Sequence, residues 1–124
     1  MELNIKMDIL NDYLWESQRE YKRWIGVDLD GTLAVHTSWK GDHHIGEPIP
    51  EMMERVKKWI KAGKIVKIFT ARATKESNKP IIKAWLKKHG LPELEVTNIK
   101  DQGMIELWDD RAVRVQKNTG KRIK

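Results

Sequence analysis

Trp24-Ile25-Gly26-Val27-Asp28-Leu29-Asp30-Gly31-Thr32-Leu33 is an apolar run that stops at two carboxylates and a glycine turn. Side chains alternate along a strand, so Asp28 and Asp30 point the same way at its end. Ligands of parallel α/β sheets bind at the carboxyl ends of strands. Two carboxylates placed there repel each other and require a cation, as a phosphate-handling site would.

Further groups follow in chain order. The apolar run Ile65-Val66-Lys67-Ile68-Phe69 leads into Thr70, Ala71 and Arg72, a hydroxyl and a guanidinium at a second strand end. Lys100 follows the short strand candidate Glu95-Val96-Thr97-Asn98, and Met104-Ile105-Glu106-Leu107-Trp108 ends in a second acidic pair, Asp109-Asp110. Between these runs Met52, Met53, Val56, Trp59 and Ile60 recur at helical spacing before Gly63. Ile81, Ile82, Trp85 and Leu86 do the same, with Pro80 in the first turn and Gly90 and Pro92 as the stop. Strands joined by helices in this order predict a parallel sheet with right-handed crossovers.

The set D-x-D-G-T, then Thr, then Lys, then Asp-Asp resembles the haloacid dehalogenase (HAD) superfamily of magnesium-dependent phosphohydrolases over residues 24–115. The resemblance implies an α/β fold with a three-layer, doubly wound, Rossmann-like parallel sheet. HAD proteins carry a flap directly after the first motif, here residues 33–50, and larger relatives insert a cap domain there or after the third strand. Neither position has space for one, so the chain looks like a capless member with an open site.

By the same resemblance Asp28 is the nucleophile that forms an aspartyl-phosphate, and Asp30 the general acid and base. Gly31 and Thr32 turn the chain toward phosphoryl oxygens, Thr70 hydrogen-bonds one of them, and Lys100 neutralises nucleophile and phosphate. Mg²⁺ would be held by Asp28, by the backbone carbonyl of Asp30, and by Asp109 or Asp110, the order of the last two being open. The need for it is physical: each like-charge pair about 4 Å apart costs about 4 kcal/mol at an effective dielectric of about 20. Oxygen-only ligands favour magnesium over zinc. Arg72 matches an arginine of HAD phosphatases that act on nucleic-acid ends. Its expected role is a second contact to phosphate or nucleotide, set against a structural ion pair with a motif aspartate.

The chain has 124 residues, enough for one core. The expected organisation is a helical extension at 1–22, a catalytic domain at 23–116, to which Val113-Arg114-Val115 adds a short final strand, and a basic, mobile tail at 117–124. Within the extension Leu10, Tyr13, Leu14 and Tyr21, capped by Asp8, predict a helix over residues 8–21. Its start lacks the uninterrupted apolar segment of a signal peptide or membrane span, so a cytoplasmic location is expected. The absence of cysteine removes disulfides, thiol nucleophiles and cysteine-ligated zinc. With 24 Lys and Arg against 18 Asp and Glu the net charge is +6, a balance that suits polyanions or simply solvates helix faces.

His36, His43 and His44 fall in the flap without the spacing of a zinc site and read as solvated. Trp24, Trp59, Trp85 and Trp108 read as packing residues, whereas Trp39 on the flap is placed to stack on a base or sugar. Gly120-Lys121 matches a P-loop only superficially, since Val115 stands where the first glycine belongs and Arg122 replaces Ser or Thr. The expected partner is a phosphorylated small molecule or a nucleic-acid end. Three other functions compete with hydrolysis: a signalling receiver domain, a magnesium- and phosphate-binding module without turnover, and a nucleic-acid-binding accessory protein. The receiver arrangement differs, because its acidic pair follows the first strand and not the last.

Overall fold

A computed structural model describes residues 22–124; the helix expected over residues 8–21 lies outside them. Four strands form one parallel sheet: β1 (Trp24–Val27), β2 (Ile65–Phe69), β3 (Val96–Thr97) and β4 (Met104–Trp108), in the order β3-β2-β1-β4. Helix α1 (Pro50–Lys61) joins β1 to β2 and helix α2 (Asn78–Lys88) joins β2 to β3. This is an α/β fold, as the alternation of apolar periods predicts.

Both helices pack on the same face. Met52, Met53 and Val56 of α1 and Ile82, Trp85 and Leu86 of α2 share one buried cluster with Ile25, Val27, Val66, Ile68 and Val96. Pro50 opens α1 in a position where no backbone N–H is needed, and Gly63 beyond its end takes a positive φ of 81°. The second face of the sheet carries Trp24, Lys67 and Phe69, with Ile65, Ile105 and Leu107 exposed. Among the described residues there is therefore a sheet with one helical layer, and the third layer of the expected architecture is not among them.

The connection from β3 to β4 explains part of this. It must cross from one edge of the sheet to the other, about 14 Å across three strand spacings, and return to the starting end of the strands. Residues 98–103 do so without a helix. They are fastened to β1: Trp24 Nε1 donates to Asp101 Oδ1 at 2.7 Å and Trp24 N to Gly103 O at 2.8 Å. A Cβ at Gly103 would collide with the Lys22 carbonyl, so glycine is required at this close approach.

One expectation near the C-terminus is corrected. Residues Val113-Arg114-Val115 add no strand to the sheet; Val115 pairs antiparallel with Arg122 instead. The tail thus folds back as a hairpin, with Gln116 N donating to Lys121 O at 2.7 Å and Ile123 N to Arg114 O at 2.8 Å. Asn118 and Gly120 supply the positive-φ positions of its turn. No helix among the described residues is long and apolar enough to cross a membrane.

Candidate functional site

With the strand order β3-β2-β1-β4, chain progression reverses between β1 and β4, and that crevice is the topological switch point where doubly wound sheets bind ligands. Asp28 leaves the end of β1 there, and its N–H donates to Trp108 O at 2.9 Å across the crevice. Asp109 and Asp110 leave the end of β4 beside it. One carboxylate oxygen from each of Asp28, Asp109 and Asp110 lies within 4.8 Å of the others. The two acidic motifs, some eighty residues apart in sequence, meet as one cluster.

The cluster is electrostatically costly. Burial pushes the Asp28 carboxyl up to about 7 from an ordinary 3.8, with the Asp109 charge adding to the shift, and Asp110 adding through a hydrogen bond and its charge. Three oxygen donors close enough to share one ion, with Asp28 resisting ionisation without a counter-charge, fit a hard divalent cation. Zinc, which favours nitrogen and sulfur, suits the set less well.

Gly31 and Thr32 serve this cluster directly. Gly31 has a φ of +91°, and a Cβ there would stand 2.6 Å from Asp110 Oδ2. Only glycine lets the turn after β1 approach the second acidic pair so closely. Thr32 Oγ1 donates to Asp110 Oδ1 at 3.1 Å and accepts from Asp110 N at 3.0 Å. Its hydroxyl therefore tethers Asp110 in the arrangement observed. Asp109 is held by its own turn, Oδ1 accepting from Arg111 N at 2.7 Å.

A cavity of about 610 Å³ opens over the cluster and takes in Asp28, Asp30, Thr70, Arg72, Asp109 and Asp110. Thr70 is buried at the end of β2, where its Oγ1 caps the one-turn 3₁₀ helix Ala71–Thr74 by accepting from Arg72 N at 3.2 Å. Lys100 is exposed on the connection between β3 and β4 and does not line this cavity. The short crossing dictates its position: the chain leaves the end of β3 at once for the far edge of the sheet.

Arg72 is where the structure departs most from expectation. The guanidinium is buried and engaged within the protein, Nε donating to Asp30 Oδ2 at 2.8 Å and Nη2 to Asp30 Oδ1 at 2.9 Å. Its remaining bonds go to the flap, from Nη1 to Asp42 O at 3.1 Å and from Nη2 to His44 O at 2.8 Å. The ion pair with a motif aspartate, not a free contact for substrate, is thus the arrangement found. Trp39 stands beside it in the lining of the cavity. Its ring, 58 % exposed, lies under this guanidinium at 4.7 Å from ring centroid to Cζ.

The flap is anchored at its base as well. Val35 N donates to Glu47 O and Ile49 N to Leu33 O, both at 2.8 Å, and Trp85 Nε1 reaches from α2 to Gly46 O at 3.1 Å. His36, read as solvated, has Nδ1 3.8 Å from Asp30 Oδ1 and lines the cavity. Its place three residues beyond the turn was the one signal in the sequence. Trp59, Trp108 and Trp24 pack as expected: Trp59 against Trp108 at 5.1 Å between centroids, and Trp24 buried beneath the Lys67 ammonium.

The residues thus converge as a three-carboxylate cluster at a sheet switch point, flanked by a buried threonine and an arginine-locked aspartate. Compared with protein-family models, with curated proteins and with solved structures, the chain matches none.

Proposed function

We propose that the protein is a magnesium-dependent phosphomonoester hydrolase of the capless HAD type, with the three-layer architecture of that superfamily. The observation that supports this most is the meeting of Asp28 with Asp109 and Asp110 within 4.8 Å, at the ends of two adjacent parallel strands. In this reading an Asp28 carboxylate oxygen attacks phosphorus, the ester P–O bond breaks, and an aspartyl-phosphate forms. Asp30 gives a proton to the leaving alkoxide and regains one from the water that hydrolyses the intermediate, releasing inorganic phosphate and restoring Asp28. Because both Asp30 oxygens accept from Arg72 at rest, proton transfer requires Arg72 to exchange one of them for a phosphoryl oxygen. Thr70 hydrogen-bonds the same phosphoryl group, and Lys100, on its exposed connection, supplies a neutralising charge.

Asp28, Asp109, Asp110 and the carbonyl of Asp30 would hold Mg²⁺, which supplies positive charge that lets Asp28 ionise and offsets the charge of the phosphate. A cytoplasmic setting, with a phosphorylated small molecule or nucleic-acid end as substrate, completes the reading.

The test is release of inorganic phosphate from p-nitrophenyl phosphate, nucleotides and sugar phosphates with Mg²⁺ or with EDTA. Mg²⁺-dependent release that Asp28→Asn abolishes supports the reading; no release from any of them overturns it. The engagement of Asp30 by Arg72 favours a second reading, a magnesium- and phosphate-binding module without turnover. Calorimetric Mg²⁺ binding without hydrolysis would select it.

A further inference from the structure

The charge of this protein is distributed unevenly. Arg111, Arg114, Lys117, Lys121, Arg122 and Lys124 are six basic side chains in the last 14 residues, with no acidic one among them. The preceding 110 residues hold 18 of the 24 basic and all 18 acidic side chains, so they are formally neutral. The whole net charge of +6 therefore belongs to the C-terminal segment. Lysines elsewhere, such as Lys57, Lys58 and Lys87, are balanced by acids and read as solvated faces.

This segment is structured and accessible. Every residue from Arg111 to Lys124 is exposed, and the chain folds back on itself through the Val115–Arg122 pairing. Thr119 closes the turn, its N–H donating to Gln116 O at 3.2 Å and its Oγ1 accepting from Lys121 N at 3.1 Å. The base of the hairpin is at the candidate site: Arg111 lines the cavity that holds the three carboxylates.

The cavity over the carboxylates thus has Arg111 in its lining, and the further cations of the hairpin follow it in the chain. Seven residues from Arg111 to Lys117 reach at most about 25 Å. That length passes several successive phosphates of one strand. A small phosphorylated metabolite in the pocket would leave the cations of the hairpin tip unused. A ligand with a terminal phosphomonoester and a succession of phosphodiesters would use both, and the exposed Val113, Val115 and Ile123 add apolar contact beside the cations.

We propose that the hairpin formed by residues 111–124 is a nucleic-acid-binding arm, which holds the phosphodiester backbone of a strand whose terminal phosphate enters the carboxylate pocket. The second half of that statement rests on the phosphomonoesterase reading. The first is testable without turnover.

The experiment is fluorescence anisotropy of a fluorescein-labelled 12-nucleotide single-stranded DNA lacking a terminal phosphate, in EDTA, from 50 to 200 mM NaCl. It compares the full chain with R114Q/K117Q/K121Q/R122Q and with the charge reversal K117E/K121E, both verified by circular dichroism and thermal melting. At about 0.7 counterions per neutralised phosphate, four contacts predict an affinity loss of about 50-fold for the wild type across that salt range, and a nearly flat response for the quadruple variant. Equal affinities and equal salt slopes in all three proteins would overturn the arm. So would release of the DNA by phosphatidylserine vesicles at matched phosphate concentration, which would identify a lipid surface as the preferred polyanion. Phosphate release from p-nitrophenyl phosphate, nucleotides and sugar phosphates by the same wild-type preparation with Mg²⁺ separates the two readings. Hairpin-dependent binding without hydrolysis supports the arm and overturns the phosphatase; hydrolysis with hairpin-independent binding does the reverse.

Discussion

Arg72 holds both carboxylate oxygens of Asp30 in a two-pronged grip, at 2.8 and 2.9 Å, while its other bonds pin the flap carbonyls of Asp42 and His44. One buried guanidinium thereby couples the end of β2, the turn after β1 and the flap. A lysine has the charge but not the planar fork, and would satisfy only one of these neighbours at a time.

Removing one partner of a buried ion pair costs about 3–5 kcal/mol because the other charge is left uncompensated. Asp30 keeps some contact with water, so Arg72→Ala is expected at the lower end, about 3 kcal/mol, and Asp30→Asn at less. Urea unfolding of the two single variants and the double variant checks this. The coupling energy should exceed about 1 kcal/mol, and additive losses would show that the grip contributes little. Hydrogen exchange across residues 36–47 should rise in Arg72→Ala, since the flap loses its internal tether.

Asp28 gives the protein a pH-dependent stability of unusual sign for an aspartate. Its carboxyl lies at about 7 in the folded chain against an ordinary 3.8, so the folded state binds the proton more tightly than the unfolded. The contribution is favourable below about pH 4 and is lost progressively as pH rises through 7. At about 1.36 kcal/mol per pH unit the full effect approaches about 4 kcal/mol, which solvent screening of the partly exposed group reduces to roughly half. In EDTA, therefore, Tm should fall by several degrees between pH 5 and pH 8. Asp28→Asn should remove that fall and melt higher than wild type at pH 8 while losing turnover. A wild-type Tm independent of pH over this range would show that the carboxylate cluster ionises without penalty.

What the sequence made legible was whatever periodicity and strand-end placement encode locally. The helix stripes at Met52–Ile60 and Ile81–Leu86, the apolar strands, and the gathering of Asp28, Thr70, Asp109 and Asp110 at one sheet edge all follow from the alternation of strand and helix. The partners of Arg72 were not legible, because a guanidinium's choice between substrate and Asp30 depends on how closely the flap carbonyls approach, which no local pattern records. Lys100 shows the other limit: its sequence position matches a motif, but the length of the connection that carries it decides where it stands. The C-terminal segment read as a mobile tail because its residues are polar and basic. Asn118 and Gly120, which permit the turn, were the overlooked signal.

Gly31 carries two separate constraints. Alanine there must adopt a φ of +91°, at a cost of about 1–3 kcal/mol, and must also displace the Asp110 carboxylate from 2.6 Å. Gly31→Ala is expected to lose that much stability and nearly all Mg²⁺-dependent phosphate release. Urea unfolding and calorimetry distinguish the two effects. A variant that binds Mg²⁺ as tightly as wild type would show that Asp110 can move aside without harm to the cluster.

Thr32 reaches the cluster through Asp110 alone, donating to its carboxylate and accepting from its N–H. Thr32→Val preserves shape and removes both bonds, leaving the charges of Asp28, Asp109 and Asp110 in place. The loss of an orienting group around a metal ligand typically costs about 10–100-fold in metal affinity. The Mg²⁺ concentration for half-maximal phosphate release should therefore rise by about tenfold or more, while the rate at saturating Mg²⁺ stays within a few-fold of wild type. Thr32→Ser, which keeps the hydroxyl, should restore most of the affinity. If instead the rate falls at saturating Mg²⁺ with no change in the Mg²⁺ requirement, Thr32 contacts the phosphoryl group during turnover, and its tether to Asp110 belongs only to the resting state.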